Sequence, residues 1–151
     1  MLEKEFVPYE ESLALKELGF DEPCFGYYVD GELRGVNLGL EELGGVKPYY
    51  KRFGFHTICN SDINNTEKSV VTAPTYSQAF RWFREKYDID IDIDVVFSKH
   101  NDGKNYKVLI PFPDELFINV GLFTTYKEAE LACLRKLIEI VKEKHNVGDS
   151  H

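Results

Sequence analysis

Cysteine is scarce in this chain. Cys24, Cys59 and Cys133 are odd in number, widely spaced and never in a C-x-x-C pair. That leaves no disulfide framework and no zinc-ribbon ligand set, and points to reduced thiols in a cytosolic protein. Basic residues are also short, 18 against 26 acidic ones, for a formal net charge of −8. A surface that grips a phosphate backbone needs a basic face, because counterion release drives that binding. Nucleic acid and an anionic membrane are therefore disfavoured partners. Apolar runs fall well short of the ~18–20 residues that span a bilayer. The start, Met1-Leu2-Glu3-Lys4-Glu5-Phe6, lacks the cationic and apolar regions of a signal peptide.

Catalytic punctuation is missing as well. The sequence contains neither G-x-G-x-x-G nor a G-x-x-x-x-G-K run followed by Ser or Thr, and no Ser–His–Asp or Cys–His arrangement stands out. No cofactor and no catalytic residue is expected on that basis. A small enzyme whose site is assembled from distant residues stays open as an alternative.

What the chain has in quantity is core material: 43% hydrophobic and 14% aromatic residues over 151 positions. Single domains peak at ~100–150 residues, so the expectation is one domain over 1–145 and a flexible tail over 146–151. The last helix, Thr125 to His145, is the plainest element. Thr125 with Glu128 forms a capping box. Tyr126, Ala129, Cys133, Leu134, Leu137, Ile140 and Val141 make one apolar stripe, which Leu131 and Ile138 widen. That width motivates the expectation of a homodimer through Leu131 and Ile138.

Earlier in the chain, Pro8 opens a short helix that Gly19 stops. Asp30-Gly31 separates two β-prone runs, Cys24–Val29 and Glu32–Val36, the strongest short hairpin signal. Residues 37–68 read as an irregular insertion, with Asn60 to Asn65 as an exposed loop. A brief strand near Ser69 to Thr72 leads to a second capping box, Thr75 with Gln78, and a helix with Tyr76, Ala79, Phe80, Phe83 and Tyr87 on one stripe. From Asp88 the period becomes two: Ile89, Ile91, Ile93 and Val95 alternate with Asp88, Asp90, Asp92 and Asp94. Strands over Tyr106–Phe112 and Leu116–Phe123 follow. The fold expected is α+β, an antiparallel sheet with helices mainly on one face, in the order α-β-β-insertion-β-α-β-β-β-α. Residues 75–144 are expected to supply most of the core.

Two stretches carry a resemblance. They are Glu5-Phe6-Val7-Pro8-Tyr9 through Glu17-Leu18-Gly19-Phe20-Asp21-Glu22-Pro23-Cys24-Phe25-Gly26-Tyr27-Tyr28, and Ala73-Pro74-Thr75-Tyr76-Ser77-Gln78-Ala79-Phe80-Arg81-Trp82-Phe83-Arg84-Glu85. With Tyr126-Lys127-Glu128-Ala129-Glu130-Leu131-Ala132-Cys133-Leu134 they are similar to a group of small proteins encoded by phages and prophages of Bacteroidetes-type bacteria. The resemblance covers about half the chain and leaves out residues 30 to 70; it implies a phage or prophage origin, with the bacterial host cytoplasm as the expected location, rather than an activity. The order α-β-β-β-α is also similar to double-stranded-RNA-binding domains, but Thr125-Tyr126-Lys127-Glu128 lacks their basic helix start. Gly121 to Ala129 resembles the strand-to-helix junction of three-stranded integrase modules, whose basic strands are here aspartate.

Two constellations bear on function. The row Asp88, Asp90, Asp92, Asp94 places carboxylates every ~6.6–6.8 Å along a strand. It reads as a solvated edge whose charges block edge-to-edge pairing, or as an acidic surface for a partner, such as a nucleic-acid mimic acting on a host protein. Carboxylates in a straight row diverge, which argues against a metal. The run Lys47 to His56, with Lys47, Tyr50, Lys51 and Arg52, has the cation and aromatic content of a single-stranded nucleic-acid or nucleotide site. The favoured reading is a loop whose aromatics cap the core while Lys51 and Arg52 pair with the acidic surface. His56 and Cys59 lack a second ligand pair for zinc. The leading expectation is a non-enzymatic module that binds another protein; nucleic-acid binding through residues 47–56 is the alternative.

Overall fold

The computed structural model describes residues 2–35, 57–63, 69–100, 103–113 and 117–148. Among these are three α-helices and two three-stranded antiparallel sheets, so the α+β class and element order stand. The elements are α1 (Tyr9–Glu17), β1 (Gly26–Val29), β2 (Glu32–Gly35), β3 (Val70–Ala73), α2 (Tyr76–Tyr87), β4 (Asp92–Phe97), β5 (Lys104–Ile110), β6 (Ile118–Phe123) and α3 (Tyr126–Gly148). The chain divides into two compact units, 1–77 and 78–151, with the boundary in the first turn of α2. The strands fall into two sheets, one in each unit, and each unit has its own buried apolar side chains. Among the described residues, 14 of the 26 buried apolar side chains lie within 75–144, so that stretch supplies just over half of the core, while β1 and β3 bury both their faces and build a core of their own.

In the first unit the strand order is β2-β1-β3. Asp30 (φ 49°) and Gly31 (φ 83°) both take positive φ, which is the primed turn that an Asp-Gly pair favours. Val29 then pairs with Glu32 on one side and Val70 on the other. Tyr28, Val71 and Ala73 pack with Tyr9 and Leu13 of α1, while Tyr27, Val29 and Val70 pack with Ile58. α1 ends as its glycine foretells. Gly19 (φ 95°) lets Phe20 N–H reach Leu15 O at 2.9 Å and Gly19 N–H reach Lys16 O at 3.0 Å, a Schellman closure over two buried apolar side chains.

Asn60 corrects the reading of 60–65 as an exposed loop at its start, residues 64 and 65 lying outside the described residues. Its Nδ2 donates to Phe20 O at 2.8 Å, and its Oδ1 accepts from Thr72 N–H at 3.0 Å. One planar amide thus offers a donor and an acceptor to two backbone groups 12 and 40 residues away. Ser61 N–H adds a bond to Asp21 Oδ1 at 2.7 Å.

In the second unit the order is β4-β5-β6, and α3 lies against β5 and β6. Val108 and Ile110 of β5 are fully buried, as are Ala129, Cys133, Leu134, Leu137 and Val141 of α3. The α3 capping box is present: Glu128 N–H donates to Thr125 Oγ1, and Thr125 N–H to Glu128 Oε2, each at 3.2 Å. Thr124 Oγ1 donates to the same carboxylate at 2.8 Å, and these bonds hold the Glu128 carboxyl below its ordinary range. The helix runs beyond the expected His145 to Gly148. Ile138 is buried and Leu131 half-buried within the chain.

Candidate partner-binding surface

The acidic row is shorter than its period suggested, because a helix cap takes its first residue. Asp88 has φ 55°, its N–H donates to Arg84 O at 3.0 Å, and Ile89 N–H reaches back to Phe83 O at 3.5 Å. Asp88 therefore closes α2 in the left-handed conformation that aspartate tolerates better than most residues. Ile89 is buried as part of that closure. Asp90 precedes the strand, and only Asp92 and Asp94 belong to β4. All four aspartates are exposed, and no hydrogen bond or ion pair among the described residues engages their carboxylates.

Register with β5 sorts β4 into two faces. Asp92, Asp94 and Val96 stand opposite Leu109, Lys107 and Asn105. Ile93, Val95 and Phe97 stand opposite Val108, Tyr106 and Lys104, on the face that α3 covers over β5 and β6. That cover thins towards the free edge. Val108 is fully buried, but Val95 is 45% exposed and Phe97 75%. Val96, on the opposite face, is also exposed.

The apolar row continues across the sheet. Tyr106 lies between Val95 and Phe123 in the strand register. The Tyr126 ring meets Tyr106 edge-on with centroids 5.5 Å apart, and Lys104 Nζ sits 5.3 Å from the Tyr106 centroid. Tyr126 is itself 48% exposed. Its phenol is pushed up, first by partial burial and then by Glu130. Glu130 is buried, with Lys127 Nζ 3.1 Å from its Oε1. The result is an edge strand whose one end is acidic and whose other end leads into exposed Val95, Phe97 and Tyr126.

The sequence shows the aspartates and sets Val95 on the apolar face, but the period-two reading does not foresee the exposure of Val95, Val96 and Phe97. The signal was present, since alternation stops at Asp94 and three apolar residues follow in succession. On a one-sided sheet such a run must leave at least one large side chain in water. Lys47, Tyr50, Lys51 and Arg52 lie outside the described residues, as does His56.

Other candidates offer less chemistry. A groove of about 420 Å³ lined by Phe112, Ile118, Ile140, Glu143, Lys144 and Val147 is mainly apolar. Its lysine is turned onto Phe112, with Nζ 5.7 Å from the ring centroid. The thiols of Cys24 and Cys133 are buried and pushed up to about 12, and that of Cys59 to about 11, chiefly by burial. A thiol so far from ionising at neutral pH is a poor nucleophile. Among the described residues no group of three or more His, Cys, Asp or Glu side chains is placed to hold a metal ion. No helix among them is long and apolar enough to cross a membrane.

Comparisons with protein-family models, with curated proteins and with solved structures find no match to this chain.

Proposed function

We propose that this chain is a non-enzymatic accessory protein, of phage or prophage type and acting in the bacterial cytoplasm, that works by binding another protein through β4. The observation that carries the reading is the exposure of Phe97, 75%, at the end of an edge strand that also bears two carboxylates with no partner among the described residues. Large aromatics on a surface are what protein interfaces concentrate at their centres. The carboxylates select a basic partner surface and speed its approach. A phosphate backbone is repelled by the same charges, which favours protein over nucleic acid as the occupant.

The test is affinity capture from a nuclease-treated host lysate with three baits: wild type, Phe97→Ala, and the double variant Asp92→Asn, Asp94→Asn. The reading expects a protein retained by wild type and depleted on both variants, each bait having the circular dichroism and melting behaviour of wild type. Retention equal on all three baits removes β4 from the account. Material that is captured only when the nuclease is omitted removes the protein-binding reading itself.

A further inference from the structure

We infer that β4 receives its partner as a strand: an extended segment with alternating apolar and basic residues, added as the fourth strand of the β4-β5-β6 sheet. The inference rests on the protein-binding reading above and specifies how the partner is held. Among the described residues β4 pairs with β5 alone, and it lies at the edge of its sheet. An edge strand presents a row of unpaired N–H and C=O groups, and native proteins ordinarily blunt such an edge. Proline is the bluntest device, and β4 has none in its six residues, Asp-Ile-Asp-Val-Val-Phe. Nor does any described bulge twist it, since its register with β5 is continuous from Asp92 to Phe97.

What the edge does carry is selective. On one face Asp92 and Asp94 stand ~6.6–6.8 Å apart, the same-face repeat of any strand laid beside them. On the other face Ile93, Val95 and Phe97 repeat at the same interval, increasingly exposed towards Phe97. A strand paired here sets its alternate side chains next to these two rows. Lysine or arginine beside Asp92 and Asp94, with aliphatic or aromatic residues beside Val95 and Phe97, satisfies both rows at once.

Charge also decides against a second copy of this chain as the occupant. Two β4 strands paired about a two-fold axis bring the Asp92 and Asp94 carboxylates of both copies onto one face, with a net charge of −8 on each chain. Like charges facing across strands are destabilising. The aspartates therefore reject self-pairing and admit a basic strand.

The experiment selects short peptides from a random displayed library on the intact chain and measures the enriched sequences by fluorescence anisotropy. Enriched peptides should alternate apolar with Lys or Arg. Each is then made in two N-methylated forms, methylated at odd or at even positions, so that one edge or the other loses its donors. One form should lose at least about tenfold in affinity and the other should keep it, because only one edge faces β4. The pair Asp92→Asn, Asp94→Asn should weaken binding by a similar factor, and amide exchange over 92–97 should slow in the complex. Peptides that bind equally in both methylated forms overturn strand addition and leave the protein-binding reading standing. Enriched sequences without the alternation, or protection of 92–97 that appears through dimerisation without peptide, also overturn it. A chain that retains neither peptide nor host protein removes both.

Discussion

Replacing Asn60 by alanine is the sharpest test of how the first unit is held together. The amide makes two bonds, Nδ2 to Phe20 O at 2.8 Å and Oδ1 from Thr72 N–H at 3.0 Å. Thr72 is 1% exposed, so its N–H cannot turn to bulk water when the acceptor is removed. A buried donor left without a partner costs ~1–3 kcal/mol, and the lost bond to Phe20 adds ~0.5–1.5 kcal/mol. Asn60 is only half-buried, so a water entering its place recovers part of this, and the expected loss is about 2–3 kcal/mol. Urea unfolding followed by amide exchange separates the two units, with Thr72, Val71 and Tyr28 reporting on the first. Trp82, the only tryptophan, reports on the second. Exchange at Thr72 should quicken most. Asn60→Asp keeps the acceptor, so its Thr72 amide should stay protected while the bond to Phe20 is lost. A loss below about 0.5 kcal/mol in Asn60→Ala, with Thr72 still protected, would show that Asn60 is only a surface loop residue.

Gly26→Val should destabilise the first unit by about 1–3 kcal/mol in urea unfolding, because a Cβ at Gly26 would lie 2.7 Å from the Phe6 ring and 3.3 Å from Ala73 O. Alkali should destabilise both units. The buried thiols of Cys24 and Cys133 are raised from 9.0 to about 12 in the folded chain, so above pH 9 the unfolded state releases protons that the folded state keeps. Stability from these thiols is fully present below pH 9 and is lost between pH 9 and about 12, by up to ~1.4 kcal/mol per pH unit for each. Cys24→Ala and Cys133→Ala should each flatten that slope in pH-dependent urea titrations, in the unit that carries the change. Light scattering should find wild type monomeric, since Ile138 is buried and Leu131 half-buried within the chain. Asp92→Asn with Asp94→Asn should instead self-associate as concentration rises, because the guard on the β4 edge is gone. A concentration-independent dimer that Leu131→Glu dissolves would favour the last helix as the interface.

Much of the fold was legible where one local signal suffices. Asp30-Gly31 dictates its turn through positive φ, Gly19 ends α1, and Thr125 with Glu128 opens α3; each outcome is decided within a few residues. What was not legible depends on distant partners. Whether the strands form one sheet or two is settled when Val29 pairs with Val70, and no local pattern encodes that choice. Asn60 looks like any loop asparagine until Phe20 O and Thr72 N–H are brought to it. Asp88 fits the period-two pattern as well as Asp92 does, yet the end of α2 claims it as a cap. The candidate site divides in the same way. Its charges stand out in the sequence, whereas the exposure of Val95 and Phe97 follows from α3 packing mainly over β5 and β6.

The proposed function makes β4 a partner surface in which exposed carboxylates act directly. The measurement closest to it is the salt dependence of binding between this chain and a protein recovered in the lysate capture proposed above, for wild type and for Asp92→Asn with Asp94→Asn. Exposed charges are screened over ~8–10 Å at moderate ionic strength. Wild-type affinity should fall steeply with added salt, and the double variant should bind more weakly at low salt with a clearly shallower slope, converging on wild type at high salt. Identical affinities and identical slopes would contradict the account and leave Asp92 and Asp94 as ordinary solvated side chains.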